Sequence, residues 1–259
     1  MKTIWLTSLG RSEEAVQKLA SSVAAYGLSV RGHFWVDDLA KMAWMAPREE
    51  MIKPETAAWV VLGQAASFGL PSVRQGLSLL ALTVQAKKGL AFPVIVLAEP
   101  GSPPPAPPFP TPLASAPVWD AADPALPPRL VAAVHTPREE PAAEYRIDAY
   151  GTAHAGLWFE VGPRRGTWAG ALFGASGAEI LFHGTGPKEM LPAQCVLEYP
   201  VKGMKLSSGG RDYTAWGVRN ILDERTSYFV RVSACPEAVL FGAFPGEGEE
   251  AEMFSLALA

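Results

Sequence analysis

Near residue 142 the hydrophobic rhythm of the chain changes, and that change limits its fold more than any other feature. Before it, short runs that are apolar throughout alternate with stretches whose apolar residues recur every three to four positions. After it, apolar and polar residues alternate within short runs separated by glycine. A strand with no polar face must be covered on both sides, as in a parallel sheet layered with helices, whereas an alternating strand suits an antiparallel sheet. The reading is therefore two separately cored bodies: an α/β domain over residues 1–135, a linker over 136–143 and an all-β domain over 144–259. With 259 residues, 49% of them hydrophobic and 19% charged, the chain is long and apolar enough to core both.

In the first half, Thr3 to Leu9, Leu28 to Trp35, Thr56 to Leu62 and Val94 to Leu97 read as strands, with Ala116 to Trp119 as a last short one. Ser12 is placed as an N-cap with Glu13 and Glu14 in the first turn, followed by a stripe of Val16, Leu19, Ala20 and Val23. Pro71 opens a second helix that Lys87, Lys88 and Gly89 close. A helix is expected within Asp37 to Met51 and another over Arg129 to Val134. Pro103–Pro105 and Pro107–Pro108 exclude helix interior or central strand and predict a stiff polyproline-like loop. With right-handed crossovers this is a doubly wound, flavodoxin-like α/β layer structure.

From Glu144 onward about nine short strands are expected, among them Thr167 to Phe173 and Cys195 to Tyr199, with Ser207 to Gly210 as a loop tip. Their spacing predicts an antiparallel β-sandwich or barrel. Cys195 and Cys235 form no C-x-x-C pair and are read as buried free thiols.

Lys and Arg number 22 against 26 Asp and Glu, a net charge of −4, which argues against a general nucleic-acid binder. The excess equals the four tail glutamates, Glu247, Glu249, Glu250 and Glu252, read as a solvated loop. No apolar run reaches the ~20 residues of a membrane span. The opening Met1–Thr7 is too short for a signal segment and runs into Arg11, Glu13 and Glu14, so a cytoplasmic chain is expected.

In a doubly wound sheet, ligands bind beyond the carboxyl ends of the strands. That rule selects Ser8, Gly10, Arg11 and Ser12 after the first strand, Asp37 and Asp38 after the second, Gln64 after the third and Glu99 after the fourth. Small hydroxyls, a glycine and a cation at a helix start suit an anion, although Glu13 and Glu14 would repel phosphate. His33, His135, His154 and His183 show no metal-ligand spacing, and no G-x-S-x-G elbow is present. No cofactor, metal or catalytic residue is assigned.

The order of strands and helices resembles that of bacterial TIR-like domains, which implies the same layering. TIR-type NAD hydrolases place a glutamate in the helix after the third strand. Ser72 to Lys88 holds only Gln75 and Gln85, so the resemblance carries topology and not activity. Gly166-Thr167-Trp168 is similar to the G-x-W of lipocalin-type barrels, which implies a barrel that could hold a small apolar ligand. Three functions follow as expectations: first, a non-catalytic binding and assembly module with a protein partner; second, an enzyme acting on a nucleotide-like anionic small molecule at the strand ends; third, a carrier of a small apolar ligand.

Overall fold

A computed structural model describes residues 1–246, 248 and 252–259. Of the four tail glutamates, Glu247, Glu249 and Glu250 lie outside the described residues. The chain divides into two compact units, residues 1–39 with 43–141, and residues 40–42 with 142–259.

The first unit is a five-stranded parallel sheet with helices. Its strands β1 (Thr3–Ser8), β2 (Ser29–Phe34), β3 (Thr56–Gly63), β4 (Val94–Ala98) and β5 (Val118–Asp120) stand in the order β2-β1-β3-β4-β5. Helix α1 (Glu13–Ala24) starts where the Ser12 hydroxyl accepts a hydrogen bond from the Ala15 N–H at 3.2 Å. Alternate residues of β3, Ala58, Val60 and Leu62, join Leu19 and Val23 of α1 and Leu126 and Leu130 of α5 (Leu126–His135) in one core. The intervening Trp59 and Val61 point to the other face, as the pleat requires. Trp59, fully buried, donates from Nε1 to Thr7 Oγ1 at 2.9 Å.

The helix expected within Asp37 to Met51 is only a 3-10 turn, Ala43–Met45, and one helical turn, α2 (Arg48–Met51). Pro47 separates the two, since a proline within a helix removes a backbone donor and clashes with the preceding turn. A single turn, α3 (Ala65–Phe68), precedes α4 (Pro71–Lys88), whose interior is almost wholly buried. In the middle of α4, Gly76 meets the indole of Trp35; a Cβ there would lie 2.6 Å from its Cζ2. Gly76→Ala is therefore expected to destabilise the chain by about 1–2 kcal/mol, overpacking outweighing the gain in helix propensity. Urea unfolding of the two chains measures it.

The proline-rich segment is docked. Arg74 donates to the Pro108 carbonyl at 2.9 Å and Gln85 to that of Pro112 at 3.0 Å, both from α4. Pro105, Pro110 and Pro112 are buried, and Phe109 meets Phe68 edge-on. At the end of the unit, the Glu140 carboxylate accepts from the Leu90 and Ala91 N–H groups at 2.8 and 3.0 Å.

The second unit holds two antiparallel sheets. One contains β8 (Ala171–Ser176), β10 (Val201–Ser208), β11 (Arg211–Val218), β13 (Ala238–Ala243) and β14 (Met253–Ala257), in the order β10-β11-β8-β13-β14. The other runs β6-β7-β12-β9, from β6 (Tyr145–Thr152), β7 (Gly156–Pro163), β12 (Thr226–Val232) and β9 (Ile180–Pro187). Phe159 of β7 meets Phe173 of β8 at 5.3 Å, and Phe173 stacks on Phe241 of β13. The strand expected over Cys195 to Tyr199 is irregular chain, and the strand lies instead at β10. That edge strand carries no buried residue, so it has no hydrophobic alternation to read; Lys202 and Lys205 mark it as an edge guarded by charge. Thr167 to Phe173 is strand only from Ala171, and half-buried Trp168 forms a lone bridge to Leu222. Both cysteines are free, but each is half-buried and not buried as expected; burial still pushes the Cys235 thiol up to about 12. No helix among the described residues is long and apolar enough to cross a membrane.

Candidate functional site

Among the described residues, two places set accessible space beside exposed or unpaired side chains. The first is the carboxyl edge of the parallel sheet. Gly10, Gln64 and Glu99 come together there: Gln64 Nε2 donates to Glu99 Oε2 at 3.0 Å, and a Cβ on Gly10 would lie 2.8 Å from Glu99 Oε1. Glu99 Oε1 is buried without a hydrogen-bond partner among the described residues. Ser8 is buried and its hydroxyl donates to the Gly10 carbonyl at 2.9 Å. The Leu9 side chain lies against Gly63, between the ends of β1 and β3.

The other residues selected by the strand-end rule stand apart from this knot. The Ser12 hydroxyl caps α1, and Arg11 is exposed. Asp37 accepts a 2.6 Å hydrogen bond from Ser72 at the start of α4, and the Asp38 carbonyl accepts from the Ala43 N–H at 3.0 Å. An anion approaching the turn after β1 would thus meet the Glu99 carboxylate, and like charges at this range repel.

Beside this turn a cleft of about 240 Å³ opens between α1 and the segments that follow β4 and β5. Ala15, Lys18, Leu19 and Ser22 form one wall. Their spacing of three and four residues puts them on a single helix face. Leu62, Pro100 and the chain from Ala121 to Pro127 form the rest. Reading α1 only for its core stripe of Val16, Leu19, Ala20 and Val23 passed over Lys18; the row one residue away on the same helix would have exposed it.

The second place lies in the β unit. On the outer face of the four-stranded sheet Glu160 is 3% exposed, yet it is fully bonded. Its carboxylate accepts from Tyr150 Oη at 2.8 Å, Ser227 Oγ at 2.5 Å and the Glu189 N–H at 2.9 Å, with Arg146 Nη1 at 3.4 Å. Burial first, and then Glu160, hold the Tyr150 phenol above its ordinary value. Arg146 also donates to the carbonyls of Pro163 at 3.1 Å, Asp223 at 2.9 Å and Thr226. The pair therefore fixes both the start of the connection between β9 and β10 and the turn before β12.

That connection, residues 188–200, folds back over the sheet. Pro192 and Cys195 sit against Gly184 and Gly186. Asn220 then clasps it: its Oδ1 accepts from the Glu198 N–H at 2.9 Å and its Nδ2 donates to the Val196 carbonyl at 3.0 Å. Around the clasp Val196 is 82% exposed, Tyr199 80% and Ile221 72%. Ile221 lines a depression of about 390 Å³, bounded also by Thr185, Pro187, Glu198, Asn220 and Leu222. Tyr199 has φ 44°, a strained left-handed conformation for an aromatic residue, and it precedes a proline.

Among the described residues no group of three or more His, Cys, Asp and Glu is placed to hold a metal ion. No protein-family model matches this chain, and no curated protein matches it in sequence.

Proposed function

We propose that the chain is a non-catalytic binding and assembly module, and that it assembles with a second copy of itself through the β unit. On this reading the first unit is a flavodoxin-like doubly wound layer, the second a β-sandwich, and the chain works in the cytoplasm. The observation that carries the proposal is the exposure of Val196, Tyr199 and Ile221 on two segments that Asn220 ties together, with Ile221 lining an open depression. Large apolar side chains left exposed on joined segments, one of them a strained aromatic, are the marks of a contact site.

The charges around the cluster favour a second copy as occupant. Lys188 and Arg225 share the region with Glu189, Glu198 and Glu224. In a two-fold contact a surface meets itself, so a rim of one sign would repel its own copy, while a mixed rim can pair. A carrier of an apolar ligand is less well supported, because the Phe159, Phe173 and Phe241 rings fill the space between the sheets.

Sedimentation of the full chain over a concentration series tests the proposal. Self-association is expected in the wild type, and Tyr199→Asp or Ile221→Asp is expected to weaken it by about thirtyfold or more, the loss of one central contact. Tyr199→Gly is expected to weaken assembly while stabilising the fold by about 1 kcal/mol, since glycine accepts the positive φ freely. A chain that stays monomeric at roughly 100 μM, far above a micromolar dissociation constant, overturns the proposal. Self-association indifferent to both aspartate variants overturns it equally.

A further inference from the structure

We propose that the cleft at the carboxyl edge of the parallel sheet binds a small amphipathic carboxylate, its apolar body seated between α1 and α5 and its carboxylate held by Lys18. Position is the first argument. Leu62 near the end of β3, Pro100 after β4 and Ala121 after β5 line the cleft, so it opens at the carboxyl ends of three strands of the sheet. Beyond the carboxyl ends of the strands is where open α/β sheets take their ligands.

The walls define the ligand. Leu19, Leu62 and Leu126 belong to the main core of the unit, so the cleft reaches into apolar packing and not merely along a surface. Pro100, Pro124 and Pro127 have no N–H, and their segments offer little to a polar body. The Ser22 hydroxyl already donates to the Leu19 carbonyl at 2.7 Å. Asp123 is occupied by the Ala125 N–H at 2.8 Å and by Arg129 at 3.2 Å. Lys18 is exposed and makes no hydrogen bond or ion pair with the described residues. One free ammonium above an aliphatic slot matches a single carboxylate on an apolar body. A di- or triphosphate would find one cation only among the lining residues, and Arg129 is taken up by Asp123. At about 240 Å³ the cleft is slightly smaller than the usual drug-sized pocket, so the ligand is small.

The test uses the full chain and two-dimensional amide NMR, with hexanoate and 3-phenylpropanoate as probes. Hexan-1-ol and hexylammonium keep the apolar body without the negative charge, and inorganic phosphate keeps the charge without the body. Both carboxylates are expected to give saturable shifts at Lys18, Leu19, Ala122 and Leu126, binding about tenfold more tightly than the alcohol or the amine. Lys18→Met is expected to lose about that factor and Lys18→Arg to keep most of it. Ala15→Leu, which fills the slot, is expected to abolish binding while the spectrum elsewhere stays unchanged. No saturable shift with either carboxylate overturns the proposal. So does equal binding of hexylammonium, stronger binding of phosphate, or indifference to Lys18→Met. The cleft lies wholly in the first unit, so this outcome is independent of whether the β unit assembles.

Discussion

Replacing Glu160 with alanine is expected to destabilise the β unit by about 3–5 kcal/mol, the penalty for leaving one member of a buried ion pair uncompensated. Glu160 is 3% exposed and Arg146 half-buried, with burial disfavouring its charged form. Without the carboxylate, the guanidinium keeps the Ser227 hydroxyl and backbone carbonyls but no anion, and the Tyr150 hydroxyl, the Ser227 hydroxyl and the Glu189 N–H each lose an acceptor. Glu160→Gln keeps the shape and removes the charge, so its smaller loss isolates the ionic part. Because Arg146 and Glu160 hold both the Asp223–Thr226 turn and the start of the 188–200 connection, self-association is expected to weaken along with stability. Urea unfolding followed by amide exchange in β7 and β12 reads the first effect and sedimentation the second. A stability change below about 1 kcal/mol, the worth of a surface pair, would mean that the network is not what holds these segments.

The residues that announced the fold are those whose neighbours in sequence are also their physical partners. Ser12 caps the helix it begins, and Thr56–Gly63 and Val94–Ala98 are apolar throughout because both faces are covered. The stretch from Asp37 to Met51 failed because its hydrophobic residues follow a helical period while Pro47 breaks the helix there. The strand at Val201–Ser208 failed because an exposed edge has no apolar face. At the strand ends, the topological rule picked Gly10, Gln64 and Glu99, which do meet, but it could not rank them above Asp37, which bonds to Ser72. The apolar surface was illegible for a different reason. Val196 and Tyr199 are brought beside Ile221 by hydrogen bonds from Asn220 across more than twenty residues, and no local pattern encodes such a clasp. Glu160 was equally hidden: alternation puts it on the outer face of its strand, where a carboxylate is ordinarily in water.

Lowering the pH from about 6.5 to about 4 is expected to remove stability from both units, through one histidine in each. Burial lowers His33 and His183 from 6.5 to about 4, with the nearby Lys202 charge adding to the effect at His183. In the first unit, Trp5 Nε1 donates to His33 Nδ1 at 3.2 Å, so a proton on that nitrogen breaks the bond. In the second, His183 shares a 2.7 Å hydrogen bond with the Tyr228 hydroxyl, stands edge-on to Trp216, and leaves Nε2 buried without a partner. Each ring is therefore neutral in the folded chain until the pH nears 4, while the unfolded chain takes up its proton near 6.5. Between those values the unfolded state binds more protons, so stability is full above 6.5 and falls as the pH drops through the window. The slope is about 1.4 kcal/mol per pH unit for each histidine, or about 3 kcal/mol apiece across it. His33→Gln and His183→Gln retain an acceptor for Trp5 and a partner for Tyr228 but do not titrate. Each is expected to flatten the pH dependence of urea unfolding in its own unit and leave the other's unchanged. A wild-type chain equally stable at pH 7 and pH 4.5 would show that these rings are not held neutral.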